Sequence, residues 1–230
     1  MNLQILGMGS AVPPHSITQR DAATIVIEQS INGRTDRQHH FVEEVYLHAG
    51  VEQRHSVILK ANEGALEKRQ TFFQAPAHPQ ALGPTTAERM RVYAEAAPAL
   101  GIGAARKALQ EANMQACKVT HVVTASCTGF YAPGIDLEFI ERLQLPLGTT
   151  RTHVGFMGCH AAINALRVAQ AYATDPAARV LLTCIELCSL HHQYGWSPEQ
   201  VVANALFADG AATVPLRVPR VCRCRALNHS

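Results

Sequence analysis

Apolar and polar residues follow one another along this chain in blocks that predict alternating strands and helices. Residues 120–125 predict a strand, residues 152–156 a short apolar strand, and residues 179–185 a continuous apolar strand. Between these strands, residues 136–143 and 161–174 carry apolar side chains at helical spacing. The segments connecting them are short. This order predicts an α/β fold whose sheet is largely buried.

The outer parts of the chain are less regular. Residues 3–9 predict a short strand that ends in glycines, and Thr18 is a candidate N-cap for the helix that follows. Segment 41–83 has the weakest pattern. Residues 85–112 are rich in alanine and other helix formers, and Pro98 with the glycines after it predicts a break into two helices.

Composition narrows the classes of protein that remain. The chain has 230 residues, 47% hydrophobic and 17% charged, which excludes a disordered polymer and fits one large domain. A net charge of +2 gives no electrostatic reason to expect nucleic acid or a membrane surface as a partner. No apolar run reaches the roughly 18 residues of a membrane span, and the first residues lack a signal-peptide pattern. We therefore expect a cytoplasmic chain whose seven cysteines are reduced thiols.

The sharpest local feature lies at residues 154–162, where an apolar strand runs into glycines and a cysteine precedes an apolar helix. Gly158 permits an unusual backbone angle at the turn, and Cys159 follows it directly. The start of a helix carries free N–H groups and partial positive charge, which favour a thiolate. A nucleophilic cysteine needs this environment. From the pattern alone, a structural core cysteine remains the alternative.

Further motifs occur along the chain in a fixed order, at 5–14, 84–112, 120–134, 158–161, 178–186 and 205–212. Together they resemble the type III polyketide synthases, the chalcone/stilbene synthase-like enzymes of the thiolase superfamily. The resemblance covers residues 3–213. It implies one amino-terminal lobe of a thiolase-like fold, with a mostly buried mixed sheet packed by helices.

The resemblance also implies an activity. Cys159 matches the family's nucleophile, which takes a starter acyl group from coenzyme A as a thioester. Malonyl-CoA then loses carbon dioxide, and the resulting carbanion extends the chain. The family needs no metal and no cofactor beyond the coenzyme A thioesters that are its substrates, and its full-length members are homodimers.

Other site positions follow from the resemblance. Cys127 and Thr128 fall where the family lines its cavity, and Cys127 is either a second nucleophile, a residue that shapes the cavity or a packed loop cysteine. Ala132 stands where plant members have a bulky residue. His192 lies near the position of a gatekeeper phenylalanine, the alternative being a loop histidine. Arg54 resembles a position that binds coenzyme A phosphates, the alternative being a solvated arginine.

The carboxyl end departs from the family pattern. We predict a domain over residues 1–213 and a disordered tail over 214–230, because prolines and arginines replace the expected strand. The family's catalytic histidine and asparagine come from a second lobe, and Asn228 and His229 do not match their context. The chain thus looks truncated. The alternatives are a ketoacyl synthase III-like enzyme that uses acyl carrier protein, and a half-fold without catalytic activity.

Two other motifs resemble binding sites but are incomplete. The glycines at positions 7 and 9 lack the third glycine of a dinucleotide site, and Pro13 and Pro14 stand where a phosphate-binding helix would begin. The pair Cys222 and Cys224 lacks the second half of a zinc site. We predict no metal.

Overall fold

In the computed structural model, the described residues are 3–28, 35–76, 78, 81, 83–194 and 196–219. They contain eight strands: β1 (Gln4–Ile5), β2 (Gly9–Ala11), β3 (Ser16–Thr18), β4 (Gln53–His55), β5 (His121–Ser126), β6 (Thr150–Gly155), β7 (Arg179–Leu187) and β8 (Asp209–Arg217). They also contain seven α-helices: α1 (Gln19–Glu28), α2 (Asp36–Leu47), α3 (Leu66–Arg69), α4 (Thr86–Glu111), α5 (Ile135–Leu143), α6 (Ala161–Ala171) and α7 (Pro198–Leu206).

Six of the strands form one mixed sheet. Its order is β1-β8-β7-β5-β6, with β2 also pairing with β8. Strand β5 runs parallel to β6 and β7, whereas β8 runs antiparallel to β7, β1 and β2. The three strands predicted over residues 120–125, 152–156 and 179–185 are β5, β6 and β7. The prediction of a mixed α/β lobe is confirmed.

Helices α4 and α5 cover one face of this sheet. Helix α4 contacts β2, β7 and β8, and α5 packs on α4, β5 and β6. Phe139 on α5 is completely buried in this layer. A Cβ on Gly101 would lie 2.7 Å from Ile185 Cδ1 and 2.9 Å from Phe139 Cζ, so the missing side chain lets the layers approach closely.

The predicted break at Pro98 is wrong, because α4 is one helix of 26 residues with Pro98 inside it. Proline removes one hydrogen bond from a helix, and here burial of the helix outweighs that loss. Ala97 and Ala104 have no exposed surface, and Gly101 serves packing rather than a turn. Thr85 caps the helix in a reciprocal box with Glu88.

The prediction that 214–230 is a disordered tail is also wrong for residues 214–217, which belong to the nine-residue strand β8 between β7 and β1–β2. Pro215 is accommodated because its carbonyl accepts the Leu6 N–H at 3.0 Å, which places its nitrogen on the same side. On that side of β8, the neighbouring edge is interrupted between β1 and β2. The backbone hydrogen bonds between β8 and β7, on the other side, therefore do not depend on the N–H that proline lacks. Residues 220–230 lie outside the described residues.

Among the described elements, α6 covers the opposite face of the sheet. Ala161, Ala165 and Ala169 lie against β5, β6 and β7 and are buried. Helices α1, α2 and α7 form a separate apolar cluster beside the sheet. Helix α1 begins where predicted, since Thr18 Oγ1 accepts the Asp21 N–H at 3.1 Å. A cavity opens between this cluster and the α6 face.

Candidate active site

The turn between β6 and α6 has the strained geometry of a nucleophile elbow. Phe156 has φ = 56° and Gly158 has φ = 71°, both in the left-handed region. A non-glycine residue in that region is uncommon, and such strain gathers at functional sites. Cys159 follows in a short 3₁₀ turn (Gly158–His160), and α6 begins at Ala161. Cys159 is exposed. The predicted strand–turn–helix placement is confirmed.

Cys127 holds the backbone of this elbow. The Gly158 N–H donates to Cys127 Sγ at 3.1 Å, and the Cys127 thiol donates to the Gly158 carbonyl at 3.6 Å. Cys127 directly follows β5, and Gly158 directly precedes Cys159. The thiol predicted at the cavity wall therefore contacts the peptide unit that carries the candidate nucleophile.

Glu186 connects the loop after β5 to the end of β7. Its two carboxylate oxygens accept the Cys127 N–H at 2.9 and 3.1 Å, and Oε2 accepts the Thr128 hydroxyl at 2.6 Å. Thr128 Oγ1 in turn accepts the Leu187 N–H at 2.8 Å. Charged acceptors make the stronger hydrogen bonds, so Glu186 fixes Cys127 and Thr128 beside the elbow. Sequence reasoning missed this role of Glu186.

A cavity of about 730 Å³ lies in front of the elbow. Cys127, Thr128, Cys159 and Glu186 line it. The apolar part of the lining comes mostly from the helical cluster and the segments beside it: Ile17, Ala22, Ile25, Val26, Tyr46, Ile58, Leu59 and Phe73. The same segments add polar groups, from Arg54, His55, Ser56 and Gln70. Ligand sites commonly combine a volume of this order with an apolar wall and a few polar groups.

Two more thiols line the same cavity but have different chemistry. Burial, with the Glu186 carboxylate adding to it, raises the pKa of Cys184 to about 11. The same two causes raise the pKa of Cys188 to about 12, and the nearby Asp209, Cys159 and Cys127 contribute. These two residues therefore stay protonated thiols near neutral pH and are poor nucleophiles.

Arg54 lines the cavity, but its donors point to the protein. Its Nε donates to the Gln19 side chain at 2.8 Å, and its Nη1 donates to the carbonyls of Asn204 and, at 3.1 Å, of Phe207. Both carbonyls belong to the carboxyl end of α7, where a cation is favourable. Burial lowers the pKa of Arg54, which the neighbouring Tyr46 and Asp209 oppose. Its role toward coenzyme A phosphates stays a prediction.

His192 also lines the cavity, in an aromatic group. Its ring lies 5.2 Å from that of Phe73 and 6.0 Å from that of Tyr194, both edge to face. Its neighbour His191 shares the lining and contacts the Thr128 carbonyl through Nε2 at 2.7 Å. The gating role of His192 stays a prediction.

Phe207 and Ala132 complete the description of the residues around the site. Phe207 lies at the end of α7, is half exposed and lines the cavity. Ala132 is exposed and precedes the cis Ala132–Pro133 bond in the loop before α5.

Among the described residues, no three histidine, cysteine, aspartate or glutamate side chains come together as a metal site. Cys222, Cys224 and His229 lie outside the described residues. No described helix is long and apolar enough to cross a membrane.

A cysteine on a strained elbow, facing a large cavity at one side of a mixed sheet, defines a candidate site for covalent catalysis within a thiolase-like fold. Comparison with known proteins supplies the family. Residues 2–217 match the family described as chalcone and stilbene synthases, N-terminal domain. The chain belongs to this family.

Individual relatives agree with this assignment. The chain is 31% identical over 219 residues to the alpha-pyrone synthesis polyketide synthase-like Pks18 of Mycobacterium tuberculosis, covering 94% of this chain and 52% of that protein. It is 28% identical over 216 residues to bisdemethoxycurcumin synthase of Oryza sativa subsp. japonica, covering 91% of this chain and 51% of that protein.

Solved structures agree as well. The C-terminal type III polyketide synthase domain of Steely1 from Dictyostelium aligns with a TM-score of 0.82 and 26% identity, over 96% of this chain and 58% of that chain. PKS-I of the brown alga Ectocarpus siliculosus gives a TM-score of 0.82 and 29% identity, over 96% and 57%. The chain spans about half the length of the curated relatives it matches.

Proposed function

We propose that this chain supplies the nucleophile of a type III polyketide synthase reaction, in which Cys159 takes an acyl group from a starter acyl-CoA. The observation that carries the proposal is the position of Cys159, which is exposed on the elbow and lines a cavity large enough for an acyl chain. The Cys159 thiolate attacks the thioester carbonyl, the coenzyme A thiolate leaves, and the acyl group becomes a thioester of Cys159.

Extension then uses malonyl-CoA. Loss of carbon dioxide leaves a carbanion, which attacks the Cys159 thioester, and the Cys159 thiolate is released. The developing negative charges need positioned hydrogen-bond donors. The family resemblance assigns a histidine and an asparagine to that task, both from the second lobe. Within the described residues, Cys127 and Glu186 form the part of the site that positions the elbow and its nucleophile.

The cavity wall favours an apolar starter. Most of the lining is apolar and includes aliphatic residues of β3 and α1, such as Ile17, Ile25 and Val26, with Arg54 and Gln70 among its polar members. An apolar acyl tail gains free energy by leaving water for such a wall. The coenzyme A thioesters are the substrates, no further cofactor is required, and we propose a cytoplasmic homodimer as in the full-length family.

The proposal is tested by incubating the purified chain with acyl-CoA starters of increasing aliphatic length, followed by malonyl-CoA. Intact-mass spectrometry measures covalent loading, and chromatography measures extended products. We expect loading that increases with acyl length and is lost in Cys159→Ala. Cys117→Ser is the matched control, because Cys117 is exposed elsewhere on the molecule.

The other outcomes separate the competing functions. Loading without extension indicates a chain that needs the second lobe. Extension that depends strictly on malonyl acyl carrier protein favours the ketoacyl synthase III-like alternative. Absence of any loading contradicts the proposal and favours a half-fold without catalytic activity.

A further inference from the structure

The cavity in front of the elbow holds an unusual number of thiols. Of the five described cysteines, all unpaired, four line it: Cys127, Cys159, Cys184 and Cys188. The proposed acyl transfer needs one thiol, which is Cys159. The other three need a separate explanation.

Cys127 stands out by its contact with the elbow. Its Sγ lies 3.1 Å from the Gly158 nitrogen and 3.6 Å from the Gly158 oxygen. Cys127 therefore contacts the residue that directly precedes Cys159 in the chain. Both side chains face the same cavity. We propose that Cys127 and Cys159 form a redox-active dithiol, a modification site that reacts with hydroperoxides.

Accessibility and thiol chemistry select this pair within the group. Cys159 is the exposed cysteine of the four, so a hydroperoxide reaches it first. Burial keeps the pKa of Cys184 near 11 and that of Cys188 near 12, and a protonated thiol resolves an oxidised partner slowly. Cys127 is half-buried and already touches the turn that carries Cys159.

The chemistry balances with a hydroperoxide as the oxidant. The Cys159 thiolate attacks the peroxide oxygen, the O–O bond breaks, and sulfur is oxidised by two electrons to a sulfenic acid while an alcohol or water leaves. The Cys127 thiolate then attacks the sulfenic sulfur. The S–S bond forms, the S–O bond breaks, and hydroxide leaves as water after taking a proton. An added dithiol reverses the reaction by exchange.

This bond has a consequence for the elbow. While it exists, Cys159 carries no thiolate and accepts no acyl group. The same bond protects Cys159 from further oxidation to the sulfinic acid, which thiols do not reverse. The disulfide thus replaces an irreversible loss of the nucleophile with a reversible one.

The test treats the full chain with hydrogen peroxide and maps the cysteines by non-reducing peptide mass spectrometry. It needs no catalytic turnover, so its result is independent of the proposed function. We expect loss of two hydrogen atoms and one cross-linked peptide pair containing Cys127 and Cys159, both reversed by dithiothreitol. In Cys127→Ser we expect the sulfinic acid at Cys159 instead. Cys117→Ser, the matched control, should behave as the unchanged chain.

Three results would overturn the inference. The first is oxidation of Cys159 in the unchanged chain to the sulfinic acid without a cross-link. The second is a disulfide from Cys159 to Cys188, Cys222 or Cys224 rather than to Cys127. The third is that peroxide leaves both Cys127 and Cys159 as free thiols under conditions that oxidise the exposed Cys117.

Discussion

The two faces of the central sheet differ in how they are used. On the α4–α5 face, side chains such as Phe139 and Ile185 are completely buried, and Gly101 allows the layers to touch. On the α6 face, Val123 and Val180 are just as buried under the one described helix that covers them, but a cavity remains beside Cys159. The closed face provides the stability that lets the other face hold a strained turn and an open site.

The largest expected effect is on stability and belongs to the closed face. Phe139→Ala empties a fully buried site, and we expect it to lower the free energy of unfolding by about 4 kcal/mol. Ile163→Ala, on the half-exposed outer side of α6, is the control and should cost no more than about 0.5 kcal/mol. Urea unfolding followed by circular dichroism measures both. Equal losses would contradict the difference in burial between these two positions.

The second prediction concerns the thiols of the cavity. Burial raises the pKa of Cys188 to about 12 and that of Cys184 to about 11, so both hold little thiolate at pH 8. Raising the pH toward those values should increase their reactivity. We expect iodoacetamide to label them at pH 8 at least about a hundredfold more slowly than it labels Cys159.

Peptide mapping over a time course gives these labelling rates. Labelling in denaturing urea is the control, since the cysteines should then react alike. If Cys184 and Cys188 react as fast as Cys159 in the folded chain, the cavity does not distinguish its thiols.

The smallest expected effect separates two roles of Arg54. Its guanidinium holds the carboxyl end of α7, so Arg54→Ala should lower the free energy of unfolding by about 2 kcal/mol. Arg54→Lys keeps the charge but not the planar set of donors, and should recover only part of that loss. Unchanged stability together with weaker acyl-CoA binding by calorimetry would instead support the coenzyme A phosphate role.

The elements that sequence predicted well are those whose pattern is local. The segments that became β5 and β7 are mostly buried strands, and Thr18 and Thr85 cap their helices through neighbours three residues away. The elbow at Gly158 was predictable for the same reason. Its glycine, cysteine and following helix are adjacent in the chain. Strand β6 was also predicted, but as an apolar strand of a largely buried sheet, and it lies at the edge of the sheet with no buried residue.

The elements that sequence predicted wrongly depend on distant neighbours. Helix α4 continues through Pro98 because the sheet buries it, and β8 tolerates Pro215 because the β1–β2 edge is interrupted opposite it. The role of Glu186 depends on the parallel pairing of β5 with β7, which brings it to Cys127 across 59 residues. Its only local signal was a carboxylate inside an apolar strand.

The central claim is that Cys159 alone among the described cysteines accepts the acyl group. The direct measurement is to treat the reduced chain with an apolar acyl-CoA, digest it at mildly acidic pH to preserve thioesters, and identify the acylated peptide by mass spectrometry. We predict the acyl group on Cys159, with none on Cys117, Cys127, Cys184 or Cys188. An acyl group on another of these cysteines while Cys159 stays free, or no acylated peptide at all, would contradict the claim.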